Sequence, residues 1–176
     1  LAYANGGGLL KFGGDALLLW FQGDGHAERA CRAAVLMRRK LRDVGRIEVP
    51  GAKVTLRMSQ GVHSGRFHFF MVGASHREFL AIGPAWSRVV AMEHAASAGE
   101  ILVSPETAAL LPNRCLGDRK GPGQLLRREP ASNSGDRGVT SAPDIPPEVL
   151  ARCLSPAIGA HVEDGGGSSE RRPVAI

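Results

Sequence analysis

The chain has 176 residues and a net charge of +5, and 43% of its residues are hydrophobic. This length allows one ordinary domain and a tail, with enough apolar residues for a buried core. No apolar run approaches the roughly 20 residues that would cross a bilayer, and no charged and apolar leader opens the sequence. We therefore expect a cytoplasmic protein that has no membrane partner.

The spacing of the cysteines and the placement of the basic residues exclude two further classes of protein. Cys31, Cys115 and Cys153 are odd in number and far apart, which argues against a disulfide framework or a zinc site. Many basic residues fall within the segment 29–42, without interleaved aromatic residues. That pattern is typical of the solvated face of a surface helix. We therefore expect no nucleic acid as a partner.

The first elements are a hairpin and a helix. Leu9–Phe12 and Ala16–Phe21 are two apolar runs joined by a Gly-Gly-Asp turn, which predicts a tight β-hairpin. Apolar residues then recur at helical spacing up to Leu41. Asp24 is the predicted N-cap of this helix, and Gly45 is predicted to help end it.

Strands dominate the middle of the chain. In the stretch KVTLRMSQGVHSG, apolar and polar residues alternate, which predicts a half-buried strand. RFHFFMVG and REFLAIG predict two more strands. A helix should start with Pro84 in its first turn and stop at Gly99.

The last ordered elements are a short buried strand, EILVS, a short helix, PETAALLP, and a possible strand, QLLRR. Ser104 is the predicted cap of the short helix, and Pro105 should take its first position. Strands mixed with helices in this order indicate an α+β fold, with a sheet and helices on one side.

The composition changes after residue 128. Residues 129–176 are rich in Pro, Gly and Ser, which predicts a flexible linker or tail. Within it, PEVLARCLSPAIGAHV could form a short amphipathic helix. We place the folded domain at residues 1–128.

Three stretches in this order, KFGGDALLLWF, MSQGVHSG and LAIGPAWSRVVAMEHAASAGEILVSPETAALL, resemble the class III adenylyl/guanylyl cyclases. The subtype is similar to bacterial proteins with tandem cyclase domains, related to soluble adenylyl cyclase. The resemblance implies a ferredoxin-like domain with an antiparallel sheet, in which MSQGVHSG is the central strand. It also implies that the domain is incomplete at its N-terminus, and that SSERRPVAI leads into a second domain.

The resemblance implies a reaction and a metal. In this family the 3′-hydroxyl of a nucleoside triphosphate attacks the α-phosphate, pyrophosphate leaves, and two Mg²⁺ or Mn²⁺ ions assist. The family uses two aspartates, and Asp15 matches the one on the hairpin. The other is expected upstream of Leu1. Taken alone, Gly-Gly-Asp is also ordinary turn chemistry.

The resemblance assigns nucleotide contacts to Lys11 and Gly14. Lys11 matches a lysine that contacts the base, although an exposed strand lysine would look the same. The aspartate that often partners it falls at Leu80, which cannot accept a hydrogen bond from a base. Base reading by this chain is therefore doubtful, and ATP and GTP are not distinguished.

The resemblance places the ribose-binding and transition-state residues on the helix after Gly83, at Ser87 and Ala91. Ser87 is the candidate catalytic residue, whereas Ala91 cannot replace the family's arginine. Arg88 is nearby, but it is expected to be solvated. Lys120 is interpreted as a loop lysine.

These matches favour the metal-donating half of a dimeric site, inactive alone and partnered by a second cyclase domain in cis or in trans. A non-catalytic pairing or regulatory module is the alternative. A diguanylate cyclase fits less well, because Ala16 replaces the acid that follows its Gly-Gly-Asp.

Overall fold

The structure is a computed structural model, and it describes residues 1–74, 76–131, 145–156 and 158–159. The strands and helices, in chain order, are β1 (Gly7–Gly13), β2 (Ala16–Phe21), α1 (His26–Val44), β3 (Arg46–Val49), β4 (Ala52–Thr55), β5 (Gln60–Val62), β6 (His68–Val72), β7 (Glu78–Ile82), α2 (Pro84–Ala95), β8 (Ile101–Val103), α3 (Pro105–Ala108), β9 (Leu116–Lys120), β10 (Gly123–Leu126) and α4 (Pro147–Ala151). Helices and mostly antiparallel strands alternate, so the α+β prediction is confirmed.

The predicted first hairpin is present. β1 and β2 pair antiparallel, from Gly7 opposite Phe21 to Gly13 opposite Ala16. Gly14 in the turn has φ +65°, a left-handed conformation that glycine adopts without steric penalty. The sequence signal was strong here because both the strands and the turn are determined by neighbouring residues.

Helix α1 starts later than Asp24, and Asp24 does not cap it. The N-cap is Gly25, with φ +68° and no side-chain hydrogen bond. The backbone oxygen of Asp24 instead accepts a hydrogen bond from the Arg29 guanidinium. The end of the helix is as predicted, because Gly45 N donates to the backbone oxygen of Leu41 at 2.7 Å.

The stretch after α1 differs from its prediction. Residues 46–55 form a hairpin, β3–β4, in which Val49 lies opposite Ala52 and all eight strand residues are exposed. The alternation in KVTLRMSQGVHSG therefore does not mark one half-buried strand. It spans an exposed strand, an irregular segment and β5. Alternation alone does not show whether any layer covers the apolar face.

A four-stranded sheet with the order β5–β8–β10–β9 forms the centre of the domain. β5 and β8 run parallel, and the other two pairs are antiparallel. Helix α2 lies in the connection between β5 and β8 and packs against both. Within the described residues β5 is an edge strand, so the expectation that MSQGVHSG is central was wrong.

The later elements agree closely with the prediction. Pro84 is the first residue of α2, which ends at Ala95, four residues before Gly99. The Ser104 side chain caps α3 by accepting a hydrogen bond from Thr107 N at 3.2 Å. β8 is completely buried, as its unbroken apolar run indicated. The strand β9 was not predicted, because its residues Leu116–Lys120 are mainly polar.

The core lies between α1 and the four-stranded sheet. One face of α1 contributes Ala27, Cys31 and Val35, which pack with β8 and with Leu126 of β10. Small side chains on that face allow the helix to lie close to the sheet.

Two arginines of α1 depart from the predicted solvated face. Arg29 and Arg32 are buried, and both donate to backbone carbonyl oxygens. Arg29 binds the segment before α1, and Arg32 binds the oxygens of Pro130 and Ala131. A charged donor that bridges distant backbone segments leaves no periodic signal in the sequence.

The described chain divides into two compact units. Of the described residues, the first comprises 1–68 and 81–131, and the second comprises 69–74, 76–80, 145–156 and 158–159. In the second unit, most of β6 and β7 forms a two-stranded sheet, Phe69 stacks on Phe79 at 5.3 Å, and Arg77 donates to the backbone oxygen of Arg152.

The tail is described only in part. Helix α4 confirms the short helix expected within residues 147–162. Residues 132–144 of the predicted linker and the SSERRPVAI segment lie outside the described residues, so the entry into a second domain and the boundary at residue 128 stay predictions. Within the described part of the chain, no helix is long and apolar enough to span a membrane.

Candidate active site

The tip of the β1–β2 hairpin presents a carboxylate to solvent. Gly13, Gly14 and Asp15 are all exposed. A side chain built at either glycine would meet no atom within 4 Å, so neither glycine is required by crowding. The positive φ of Gly14 explains why glycine stands at position 14, but it does not explain Gly13. The tip is therefore exposed, and no crowding around its glycines keeps a ligand from Asp15.

Lys11 and two apolar residues adjoin this tip. Lys11 lies in β1 opposite Leu18 and is half-buried. Phe12 and Leu17 face each other across the hairpin, and 65% of Phe12 is exposed. Leu17 is 55% exposed as well. The carboxylate is thus flanked by an uncovered apolar surface.

The fourth candidate lies on a different element. Ser87 is exposed on α2, and its backbone N–H donates to the oxygen of Gly83 at 3.3 Å. Ala91 lies one turn later and is half-buried. Helix α2 packs on β5 and β8, whereas the hairpin packs on α1. Lys11, Gly14 and Asp15 thus lie on one hairpin, whereas Ser87 lies on a different element, helix α2.

Two basic residues form ion pairs that the sequence did not indicate. Arg88 forms an ion pair with Glu106 at 3.1 Å, although about half of its side chain remains exposed. Lys120 is the last residue of β9 rather than a loop lysine. It forms an ion pair with Glu100 and donates to Ser97 Oγ at 2.7 Å. Both residues already neutralise acids of the same chain.

A buried polar cluster at the carboxyl ends of β5 and β8 was not anticipated. His63 follows β5, and its Nδ1 lies 2.9 Å from the Oγ of Ser104, which follows β8. Thr107 donates to Ser64 Oγ at 3.1 Å and completes the cluster. Only sequence position could have suggested it, since both His63 and Ser104 directly follow short strands that pair in parallel.

The histidine of this cluster is poorly solvated. Its side chain is 5% exposed. Burial lowers the pKa of His63, the carboxylate of Glu106 partly offsets that effect, and Arg88 adds to it. The Ser104 hydroxyl is fully buried and also caps α3. The group therefore fixes the end of the sheet and is inaccessible as a nucleophile.

Comparison with known proteins identifies this architecture. No protein-family model matches the chain, and no curated protein matches it. Solved structures do match. The adenylyl cyclase CyaB from P. aeruginosa superposes with a TM-score of 0.53 at 25% identity, over 72% of this chain and 76% of that one. The chain has the class III nucleotide cyclase fold.

Other solved cyclases agree. The guanylyl cyclase Cya2 superposes with a TM-score of 0.52 at 19% identity, over 69% of each chain. The guanylate cyclase domain of RhGC from Catenaria anguillulae, solved in complex with GTP, gives 0.53 at 19% identity, over 69% of this chain and 70% of that one. The predicted resemblance is confirmed for the fold. The roles of Lys11, Gly14, Asp15 and Ser87 stay predictions.

The described residues do not by themselves form a metal site of the cyclase kind. They contain no cluster of three or more His, Cys, Asp or Glu side chains able to hold a metal ion. Asp15 is the single carboxylate of its hairpin. Because Mg²⁺ demands several oxygen ligands, one exposed carboxylate requires further donors from elsewhere.

Proposed function

We propose that this chain is a nucleotide cyclase domain that contributes the metal-donating half of a dimeric active site and is inactive alone. The observation that carries the proposal is the open Gly-Gly-Asp hairpin on a cyclase fold. A turn needs glycine at position 14, but it does not need an acid at position 15. An exposed carboxylate at this position can bind a metal ion or a ligand that another chain or the solvent supplies.

The substrate of the complete site is a nucleoside triphosphate. Two structurally similar proteins support this substrate class. One was solved with GTP, and the other, a rhodopsin-guanylyl cyclase with converted specificity, was solved with ATPαS. Lys11 and Gly14 are placed on the same hairpin as Asp15 and would contact the nucleotide beside it. Leu80 offers no side-chain acceptor for a base amino group. We therefore assign base selection to the other half.

Asp15 would be one ligand of a bound Mg²⁺ or Mn²⁺. The remaining ligands would come from the phosphates and from a carboxylate outside the described residues. When bound, such an ion stabilises negative charge on the phosphate oxygens. This chain's own contribution is to hold Asp15 at a fixed point, through the paired strands of the hairpin and their packing on α1.

The other half must supply the transition-state groups. Ser87 could hold a ribose oxygen, because its side chain is exposed on α2. Ala91 carries no charge, and Arg88 is engaged by Glu106. A guanidinium that stabilises the developing charge must therefore come from a second cyclase domain, in cis or in trans.

A regulatory module is the second candidate. Leu80 and Ala91, which stand at positions where the family has polar groups, favour it. Such a module would keep the pairing surface without binding metal. The two candidates differ in whether the Asp15 carboxylate matters.

Complementation tests both candidates. The purified chain is assayed alone and then mixed with a cyclase domain that keeps its own ribose and arginine groups and its other metal aspartate, but has the hairpin aspartate that corresponds to Asp15 replaced. We expect no cyclic nucleotide from either protein alone and turnover from the mixture with Mg²⁺ or Mn²⁺. Asp15→Asn should lower that turnover by about a hundredfold or more, since metal stabilisation amounts to several kcal/mol.

Asp43→Asn is the matched control, because Asp43 is an exposed acid on α1. It should leave turnover unchanged. Cyclic nucleotide from the chain alone would overturn the half-site proposal. If the chain associates with the partner domain but Asp15→Asn leaves turnover as it was, the regulatory module is the correct description.

A further inference from the structure

A groove lined by five arginines lies at the end of the sheet where β8 begins. It measures about 550 Å³, and its arginines are Arg38, Arg42, Arg46, Arg57 and Arg127. They come from the C-terminal half of α1, the start of β3, the segment after β4 and the residue that follows β10. We call it the arginine groove. Folding has gathered charges that are far apart in the sequence.

The protein neutralises this charge incompletely. Glu100 is the single acid that lines the groove, and Lys120 already pairs with it. Asp118 pairs with Arg127 at 3.0 Å. Across the described ranges, no ion pair involves Arg42, Arg46 or Arg57. At least three guanidinium groups therefore face the groove without a protein anion.

Structural roles explain only part of this arrangement. Arg42 lies in the last turn of α1, where a cation is stabilised by the helix dipole. Arg38 donates to the backbone oxygen of Gly99 at 3.4 Å. Burial lowers the pKa of Arg38, and the positive charges of Arg42 and Arg39 lower it further. The crowding is thus unfavourable in the free protein, and a bound anion would relieve it.

The groove also has apolar walls. Leu41, Leu56 and Met58 line it beside the arginines. Its volume falls within the range of about 300–1,000 Å³ that is typical of small-molecule sites. Guanidinium groups match phosphate oxygens in a bidentate geometry that a lysine cannot reproduce. Five arginines with no lysine among the lining residues therefore favour phosphate recognition.

We propose that the arginine groove binds a small anion that carries two or more phosphate groups. None of the lining residues belongs to the β1–β2 hairpin or to α2. The site is therefore distinct from the proposed cyclase half-site and does not depend on it.

Calorimetric titration with inorganic tripolyphosphate tests the proposal. The 176-residue chain is used in metal-free buffer with EDTA, so that metal-dependent binding at Asp15 does not contribute. We expect saturable binding with one site. Replacing Arg42, Arg46 and Arg57 together by Gln should weaken affinity by about tenfold or more, because each removed charge-assisted contact is worth more than a neutral hydrogen bond.

The control variant replaces Arg66, Arg114 and Arg119 by Gln. These arginines are exposed, lie outside the groove and change the net charge by the same amount. This variant should bind within about twofold of the unchanged chain, since only general charge attraction is altered. Equal weakening in both variants, or no saturable binding, would overturn the proposal. Citrate binding as tightly as tripolyphosphate would overturn the assignment to phosphate.

Discussion

At the scale of single residues, His63 shows how environment determines chemistry. It follows a strand whose sequence suggests nothing unusual, yet its imidazole is nearly covered and bonded to a buried hydroxyl. Burial favours the neutral ring and therefore lowers its pKa below the ordinary value of 6.5. The folded state binds this proton less readily than the unfolded state does.

This difference predicts a pH dependence of stability. Well above pH 6.5 the ring is neutral in both states, and its contribution is fully present. As pH falls below 6.5 the unfolded state takes up a proton first, so stability is lost progressively until pH passes the lowered folded pKa. We expect thermal unfolding between pH 7.5 and 5 to show this decline, and His63→Gln to reduce it.

His94→Gln is the control for that measurement. The His94 side chain is 75% exposed, so the decline should persist when it is replaced. If the melting temperatures of the unchanged chain and of His63→Gln fall in parallel, His63 does not titrate as the burial implies.

At the scale of elements, the close contact between β5 and α2 requires a residue without a side chain, which is Gly61. A Cβ at Gly61 would lie 2.4 Å from Glu93 N and 2.6 Å from the backbone oxygen of Val89. Both atoms belong to the backbone of α2 and cannot rotate away. The parallel pairing of β5 with β8 and the crossover through α2 both rely on this close approach.

Gly61→Ala should therefore push the strand from the helix and lower stability by about 1–3 kcal/mol. That loss corresponds to a fall of several degrees in melting temperature for a chain of this size. Calorimetry or circular dichroism measures it. Gly8→Ala is the matched control, because a Cβ there meets nothing within 4 Å. A Gly61→Ala variant as stable as the control would contradict the close approach of β5 to α2.

Elements with local signals were predicted, and elements with distant partners were not. The first hairpin and the capped helix α3 follow from Gly14, Ser104 and Pro105, which act on neighbouring backbone. The buried state of Arg29 and Arg32 depends on carbonyl oxygens outside α1, up to 99 residues away for Arg32. Composition can therefore identify a basic helix without showing which of its charges are solvated.

At the scale of the whole molecule, the reactivity of the three cysteines depends on how the chain is folded around them. They are free thiols, and Cys31 and Cys115 are buried whereas Cys153 is exposed. Burial is the largest of the effects that raise the pKa of Cys31 to about 12. Almost no thiolate forms there at neutral pH, and the thiolate is the reactive species.

A thiol-specific chromogenic reagent at pH 8 should therefore modify one cysteine rapidly in the native chain. The other two should react only as the domain opens, and all three should react in denaturant. Cys153→Ser should abolish the rapid phase. Rapid modification of two or three thiols in the native chain would show that α1 is not packed on the sheet as described.

The sequence alone determined the α+β class, the first hairpin, the N-cap of α3 and the cyclase resemblance. All of these depend on residue types at short spacings. Tertiary structure alone decided that β5 is an edge strand among the described residues, that Arg29 and Arg32 are buried, and that five separated arginines line one groove. These features arise from contacts between distant segments, whose free energies depend on burial and on neighbouring charges. Asp15 belongs to both groups, since its motif is local but its openness to a ligand is a property of the fold.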